Sequence, residues 1–261
     1  MISIMTPTYN RQHTLKRLYD SLCSQDCLNF EWVIVDDGSV DESRILIDTF
    51  ISENKIRINY LYQQNKGKPG AINTGVPLCQ FDYIFIVDSD DALTNDAVSS
   101  LIAEIVEAEK TQISFSGVGF RKATFEGSIL GVPPNFKEPI IYLNATEASG
   151  VFQADLAYCF KKWSMLQHPF PFYKNERFIP ELYIWNKITD ESKIRFNANK
   201  VIYLAEFLDD GLTKTFKKQL KKYPYSFRVF YADQFFRETK IIKKIKMMIR
   251  FFQCFIYEKM K

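Results

Sequence analysis

Apolar residues in the first hundred positions gather in short, nearly continuous runs: Ile2–Met5, Trp32–Val35, Ile58–Leu61 and Tyr83–Val87. Runs of that length without regular polar alternation read as strands buried on both faces, the condition of a parallel sheet covered by helices. The segments between them carry helical spacing instead. Leu15, Leu18 and Leu22 share one face of a helix predicted over roughly Gln12–Gln25; a second is predicted over Asp41–Ser52 and a short one over Gly70–Pro77. Val98, Leu101, Ile102, Ile105 and Val106 form the stripe of a further helix over Asn95–Glu109, and "TQISFSGVGF" follows as another strand. Strands alternating with helices imply βαβ units with right-handed crossovers, hence an α/β fold.

In an open parallel sheet, ligands sit in the crevice beyond the carboxyl ends of the strands. Here those ends read "TPTYN", "DDGSVDES", "QQNKGKPGAIN" and "DSDD". Connecting loops are polar in any case, but carboxylates recur where ordinary turn residues would serve. Beyond about residue 120 the pattern weakens. "GVPPNFKEPIIY" is loop-like, an aromatic-rich stretch surrounds a helix start near "FIPELYIWNK", and "KIRFNANKVIYLAEFLDDGLTK" reads as a strand pair or a strand and turn. No internal repeat or low-complexity linker suggests a second independent domain.

Composition adds bounds. The chain has 261 residues, 46% hydrophobic and 25% charged, which allows one large domain with a sizeable core. Five cysteines (Cys23, Cys27, Cys79, Cys159, Cys254) show no ligand-like pairing, and an odd number argues against a disulfide framework. Cys23 and Cys27 are expected on one helix face, and a reducing cytoplasm is the expected compartment. "MISIMTPTYN" is too short in apolar character for a secretory leader, and no run approaches the roughly 18–20 uncharged apolar residues of a membrane span. Charge is distributed unevenly. From Leu212 onward there are 14 Lys and Arg against 3 Asp and Glu, a balance of +11; the rest has 20 against 28, or −8. An acidic body with a basic tail points to an anionic surface as the tail's partner.

The acids of "YIFIVDSDDAL" are the densest chemical signal. In an extended chain Asp88 and Asp90 share a face, with Ser89 between them, while Asp91 begins the turn. Carboxylates that close repel unless a cation lies beside them. Oxygen-only ligands suit Mg²⁺ or Mn²⁺, which complete their shells with phosphate and water, so a phosphate-bearing ligand is expected to bring the missing counter-charge. The plainer alternative is an acidic cap on the following helix, which Asp91 alone could provide. In "VIVDDGSVDES", Gly38 permits a tight turn and Ser39 or Asp41 can cap a helix, which leaves Asp36 and Asp37 unexplained; one of them could accept the N–H of a nucleobase. "TPTYN" offers Thr6 and the backbone around Pro7. "NKGKPGAIN" brings Lys66 and Lys68 to a helix N-terminus, which suits a phosphate, although the spacing is not that of a P-loop.

Together "SIMTPTYNR", "EWVIVDDGSVDES", "QNKGKPGAINTG" and "FIVDSDDAL" resemble, in order and spacing, the donor-binding half of family 2 glycosyltransferases, covering residues 1 to about 95. The resemblance implies a GT-A type, Rossmann-like fold: a mostly parallel central sheet flanked by helices, here with a C-terminal helical extension. It implies a catalytic domain over 1–215, with a nucleotide-sugar half of about 1–95 and an acceptor half of about 96–215, followed by a basic tail over 216–261. By position, Thr6, Pro7 and Tyr9 would line the base and ribose site, and Asp37 or its neighbour Asp36 would contact the base, most often uracil. Asp88 and Asp90 would be the Asp-x-Asp metal pair, Asp90 the stronger ligand and Asp88 nearer the ribose. Many members carry an Arg before the Asn of the segment that ends in Asn73; Ile72 stands there in this chain, and Lys68 is the candidate replacement.

The resemblance also implies a catalytic base in the acceptor half, often the second acid of a Glu-Asp pair at a helix start. "FIPELYIWNK" offers Glu181 followed by Leu182, so Glu181 is the candidate, with an exposed first-turn helix acid as its alternative. "EFLDDGLTK" resembles a late family segment in which Asp209 or Asp210 could join the metal; a glycine turn with a polar rim explains it as well. In the tail, Ile241, Ile242, Ile245, Met248, Ile249, Phe252, Phe255 and Ile256 fall on one helical face, with Lys243, Lys246 and Arg250 opposite. Such a helix suits an anionic membrane surface or a docking site on the protein's own core; nucleic acid is not expected as a partner. The expectation is an inverting, metal-dependent transfer from a nucleotide sugar, a UDP-sugar, to a glycan or lipid-linked glycan at the inner face of the cell membrane. A sugar nucleotidyltransferase would carry a Gly-rich, Arg-containing loop after the first strand, and "TPTYNRQ" lacks the glycine. A non-catalytic nucleotide- or membrane-binding module of the same fold would keep both acids yet bind no metal.

Overall fold

The computed structural model describes residues 1–133, 138–208 and 214–260. The predicted alternation is present in the first half: β1 (Ile2–Thr8), α1 (Gln12–Cys23), β2 (Phe30–Asp36), α2 (Ser43–Glu53), β3 (Ile58–Tyr62), α3 (Gly67–Leu78) and β4 (Tyr83–Ile86). There follow β5 (Ala92–Leu93), α4 (Ala97–Glu109), β6 (Phe115–Thr124), β7 (Ile140–Leu143), α5 (Ala145–Phe152), β8 (Ala157–Lys161), α6 (Lys162–Gln167), α7 (Leu182–Ile188) and β9 (Lys193–Ala205). The chain closes with α8 (Phe216–Lys222), α9 (Pro224–Arg237) and α10 (Ile241–Lys259).

The sheet order is β3-β2-β1-β4-β8-β6-β9-β5, with β7 also against β9. Strands β3, β2, β1 and β4 run parallel, which puts their carboxyl ends, and the four polar segments, on one edge. The second half departs from the parallel pattern. β8 runs antiparallel to both β4 and β6, and β5 and β7 run antiparallel to β9. β6 and β9 pair parallel to each other and run in the direction of β4, with register shifts around Arg121.

Alternation across the strands builds two cores. Ile2, Ile4, Trp32, Ile34, Tyr83 and Phe85 face α1, α2 and α4, where Tyr19 stacks on Phe50 at 4.0 Å. Met5, Val33, Val35 and Ile84 face α3, α5, α7 and the C-terminal helices. Gly75 lets α3 lie close on β1 and β2, since a Cβ there would stand 2.3 Å from Met5 Cε.

Two local expectations need correction. Cys27 lies beyond α1, which stops at Cys23, so the pair does not share a helix face, although both pack against the same core. Asp91 does not start the next helix: β5 intervenes, pairing Leu93 with Tyr203, and α4 begins only at Ala97. The tail is three helices. Phe227 of α9 is fully buried, and α10 docks through Met247, Phe251, Cys254 and Tyr257. The apolar stripe read from the sequence is a different one and stays exposed. Among the described residues, no helix is long and apolar enough to cross a membrane.

Candidate active site

The acidic turn hangs from the β4 end of the sheet. Val87 still donates its N–H to the Met5 carbonyl (3.0 Å), and Asp91 closes the turn by donating to the Asp88 carbonyl (3.2 Å). Carboxylate oxygens of Asp88, Asp90 and Asp91 all lie within 4.8 Å of one another, with the Ser89 side chain buried between them in sequence. Tyr203, from the far end of β9, locks the turn. Its hydroxyl accepts from the Asp88 N–H (3.0 Å) and donates to Asp91 (2.6 Å), whose other oxygen accepts from the Glu206 N–H at 2.8 Å. Burial, then the charge of Asp88, pushes Asp91 up to about 7; the same two causes, in that order, raise Asp90.

The counter-charge expected from a ligand is already partly supplied by the chain, which corrects that reading. Lys68 Nζ, in the first turn of α3, stands 2.6 Å from Asp88 Oδ1 and 2.6 Å from Glu181 Oε1. Burial alone would raise Asp88, but Lys68 and then Lys122 overcome it and hold its carboxyl below the ordinary value. Lys122, buried near the end of β6, is 2.6 Å from Asp155 and lies 4.1 Å from the centroid of the Tyr203 ring. Arg11 Nε is 4.0 Å from Asp90.

Glu181 occupies the position before α7, yet its side chain does not cap the helix; it turns toward Lys68. Burial pushes its carboxyl up, against the pull of Lys68. Its placement follows from α7 itself, since Ile184, Trp185 and Ile188 are buried and fix that short helix against the sheet. An exposed, unattached helix acid is not what the structure shows. A displaced Glu181 would have to leave the shelter of Lys68 and strip that cation of one of its two anionic partners.

The remaining predicted residues are placed as follows. Asp36 accepts from the Ser39 N–H (2.8 Å) and the Tyr60 hydroxyl (3.1 Å). Asp37 accepts from Gln63 Nε2 (2.6 Å) and from the N–H groups of Lys66 (2.8 Å) and Gly67 (2.7 Å), so both acids stabilise the loops of the strand edge. Thr6 is buried and accepts from the Trp32 indole N–H at 2.9 Å; Pro7 is buried, and Tyr9 is exposed. Asn73 exchanges two 2.8 Å hydrogen bonds with the backbone of Phe170, which ties α3 to the segment leading toward Glu181. Asp209 and Asp210 lie outside the described residues.

Sequence reasoning missed Lys122, Tyr203 and Asp155, which sit in or beside ordinary-looking strands with no local signal. Arg11 was within reach, at the end of "SIMTPTYNR". The donor set fits a hard divalent cation: carboxylate oxygens only, clustered, with Asp90 raised first by burial and then by the charge of Asp88, which a bound cation would offset.

Comparison with known proteins bears on the family and the fold. The family described as "Glycosyl transferase family 2" matches residues 3–163. A curated relative, glycosyltransferase GlyA of Streptococcus pneumoniae, is 40% identical over 106 residues, which is 41% of this chain and 15% of that protein. The matched part is therefore well under two thirds of that relative's length. Among solved structures, residues 1–349 of S. aureus TarS in complex with UDP-GlcNAc superpose with a TM-score of 0.69 at 18% identity, covering 97% of this chain and 72% of that one. The mannosyltransferase PcManGT from Pyrobaculum calidifontis, in complex with GDP-Man and Mn²⁺, gives a TM-score of 0.62 at 17% identity over 92% of this chain and 65% of that one. At those identities the likeness is one of fold, a GT-A type arrangement.

Proposed function

The chain belongs to glycosyl transferase family 2, and from that premise we propose that it transfers a sugar, with inversion, from a nucleotide-sugar donor to a hydroxyl of a glycan or lipid-linked glycan. The observation that carries the reading is the shared cation. Asp88 and Glu181 each lie 2.6 Å from Lys68 Nζ, so their oxygens are no further apart than twice that distance. An acid of the donor corner and a candidate base thus border one small space, as a single in-line displacement requires.

Asp88 and Asp90 are the residues that would hold Mg²⁺ or Mn²⁺, with Asp91 behind them; the ion, when bound, neutralises the departing diphosphate. Glu181 removes the proton of the acceptor hydroxyl as that oxygen attacks the anomeric carbon. Burial, which raises the Glu181 carboxyl, suits it to that exchange. Lys68, at the start of α3, orients both carboxylates and meets the phosphates. Thr6 and Pro7 back the base and ribose site from within β1, and Tyr9 offers the open ring. Asp36 and Asp37 shape that site, Asp37 by holding the Lys66 and Gly67 amides. The UDP preference is supported by the TarS complex with UDP-GlcNAc, and metal use by the PcManGT complex with Mn²⁺. The basic tail supports a peripheral position on the inner face of the cell membrane, beside a lipid-linked acceptor.

A panel of nucleotide sugars with Mn²⁺, followed by calorimetry and by donor hydrolysis, tests the proposal. Binding of one UDP-sugar that disappears in Asp90→Ala, with Glu181→Gln keeping binding and losing transfer by about 10²-fold or more, is the expected result. Absence of binding by every sugar nucleotide overturns the reading. Normal turnover by Glu181→Gln removes Glu181 as the base.

A further inference from the structure

A single helix, α10, carries two apolar faces, and only one of them is used inside the protein. Met247, Phe251, Cys254 and Tyr257 form the seam against the core that includes Phe227, Phe230 and Tyr231. Glu258 strengthens the seam by accepting from Arg228 Nε at 2.8 Å. Turned away from it are Ile241, Ile242, Ile245, Met248, Ile249, Phe252, Phe255 and Ile256, every one exposed, with Ile242 78% exposed and Ile249 61%. Phe236, at the end of α9, is 80% exposed. At 3.6 residues per turn and 1.5 Å rise per residue, the exposed apolar positions of α10 occupy about 140° of the circumference and run about 22 Å along the axis. Soluble surfaces rarely leave so much contiguous apolar area open without a partner.

Charge identifies the partner. Lys244 borders one edge of the apolar arc and Lys246 the other, while Lys240 and Lys259 mark its two ends. The only acid of α10, Glu258, is engaged by Arg228 on the seam side. A second copy docked face to face would set these lysines against their own equivalents with no acid to offset them. A lipid surface with anionic headgroups matches both parts, the acyl region taking the apolar arc and the phosphates taking the flanking lysines.

We propose that α10 is a rigid interfacial helix that lies flat on an anionic membrane through its Ile245–Ile249–Phe252 face, while its Phe251–Cys254 seam fastens it to the catalytic body. This deepens the membrane part of the proposed function and rests on that reading only for the biological role; the surface itself is independent of donor chemistry. The seam gives the device its mechanical sense. A flexible tether would let the body tumble, whereas a docked helix fixes one orientation of the acidic strand edge relative to the lipid.

The test is co-sedimentation of the full chain, without nucleotide, on vesicles of phosphatidylcholine alone or mixed with phosphatidylglycerol. Wild type should bind the mixed vesicles, with affinity that falls as salt rises, and bind the neutral ones weakly. The triple variant Ile245→Ser, Ile249→Ser, Phe252→Ser should lose affinity by about tenfold or more. Lys244→Gln with Lys246→Gln should lose about tenfold and flatten the salt dependence. Since all five positions face solvent or the rim, unchanged thermal unfolding and donor hydrolysis serve as controls for folding. Equal binding by wild type and triple variant overturns the proposal, as does no binding by wild type. A wild-type dimer in light scattering that the triple variant converts to monomer, without vesicle binding, would assign the face to a second copy instead. Failure here leaves donor binding untouched, and failure of donor binding leaves vesicle binding untouched, so the two readings fall separately.

Discussion

Lys68 holds two carboxylates that would otherwise confront each other in a half-buried corner. Its ammonium lies between Asp88 and Glu181, and the charges of both, acting against its own burial, raise its affinity for a proton well above the ordinary lysine value. Replacing it with methionine keeps the stem and removes the charge. Lys68→Met should therefore destabilise the metal-free protein by about 1–3 kcal/mol, since the two acids lose their partner. The same variant should gain more thermal stabilisation from added Mn²⁺ than wild type does, because the ion then replaces a missing cation rather than competing with a resident one. Paired thermal melts with and without Mn²⁺ measure both effects, and an equal Mn²⁺ response in the two proteins would contradict this account. The acids themselves were legible in the sequence, as three carboxylates closing an apolar strand. Lys68 was legible as a cation at that strand edge, but its pairing with Asp88 and Glu181 was not, and Lys122 carried no signal at all, because these residues come from separate segments and nothing local marks which lysine will be buried.

Elements position these residues through close backbone approaches and a few ion pairs. Gly117 sits where β6 passes β8, and a Cβ there would lie 2.2 Å from the Cys159 carbonyl oxygen. A backbone neighbour cannot swing aside as a side chain can, so Gly117→Ala should cost about 1–3 kcal/mol in urea unfolding. At the other end of α7, Asp190 is held below the ordinary carboxylate range first by its hydrogen bonds from Arg237, one of which measures 2.8 Å. A depressed folded value means the contribution is present above the ordinary value near 3.8 and is lost as pH falls below it. Wild type should thus lose more stability than Asp190→Asn between neutral pH and the acid limb below that value. Denaturant midpoints across pH read the difference. The βαβ half of this architecture was readable from hydrophobic runs alone. The antiparallel β8 and the long β9 were not, since strand direction depends on where a connection crosses the sheet rather than on the strand's own residues.

The whole molecule joins an acidic strand edge to a basic, helical end through one of its two apolar cores. Removing residues 241–261 is therefore more than the loss of a tail. It uncovers the surface that Met247, Phe251, Tyr257 and the fully buried Cys254 cover, and should lower stability by several kcal/mol. Chemical denaturation of the truncated chain checks this, and an unchanged midpoint would mean the seam contributes little. The sequence by itself determined the alternating strands and helices of the first half, the edge on which its chemistry gathers and the family to which it belongs, because local periodicity and turn residues encode all of these. Only the tertiary structure decided that Lys68 joins Asp88 to Glu181, that Asp91 answers to Tyr203 rather than to a helix, and which apolar face of α10 is spent on the core. Those outcomes depend on which distant segments meet. A helix apolar on two sides has no periodic signal that tells the covered side from the open one.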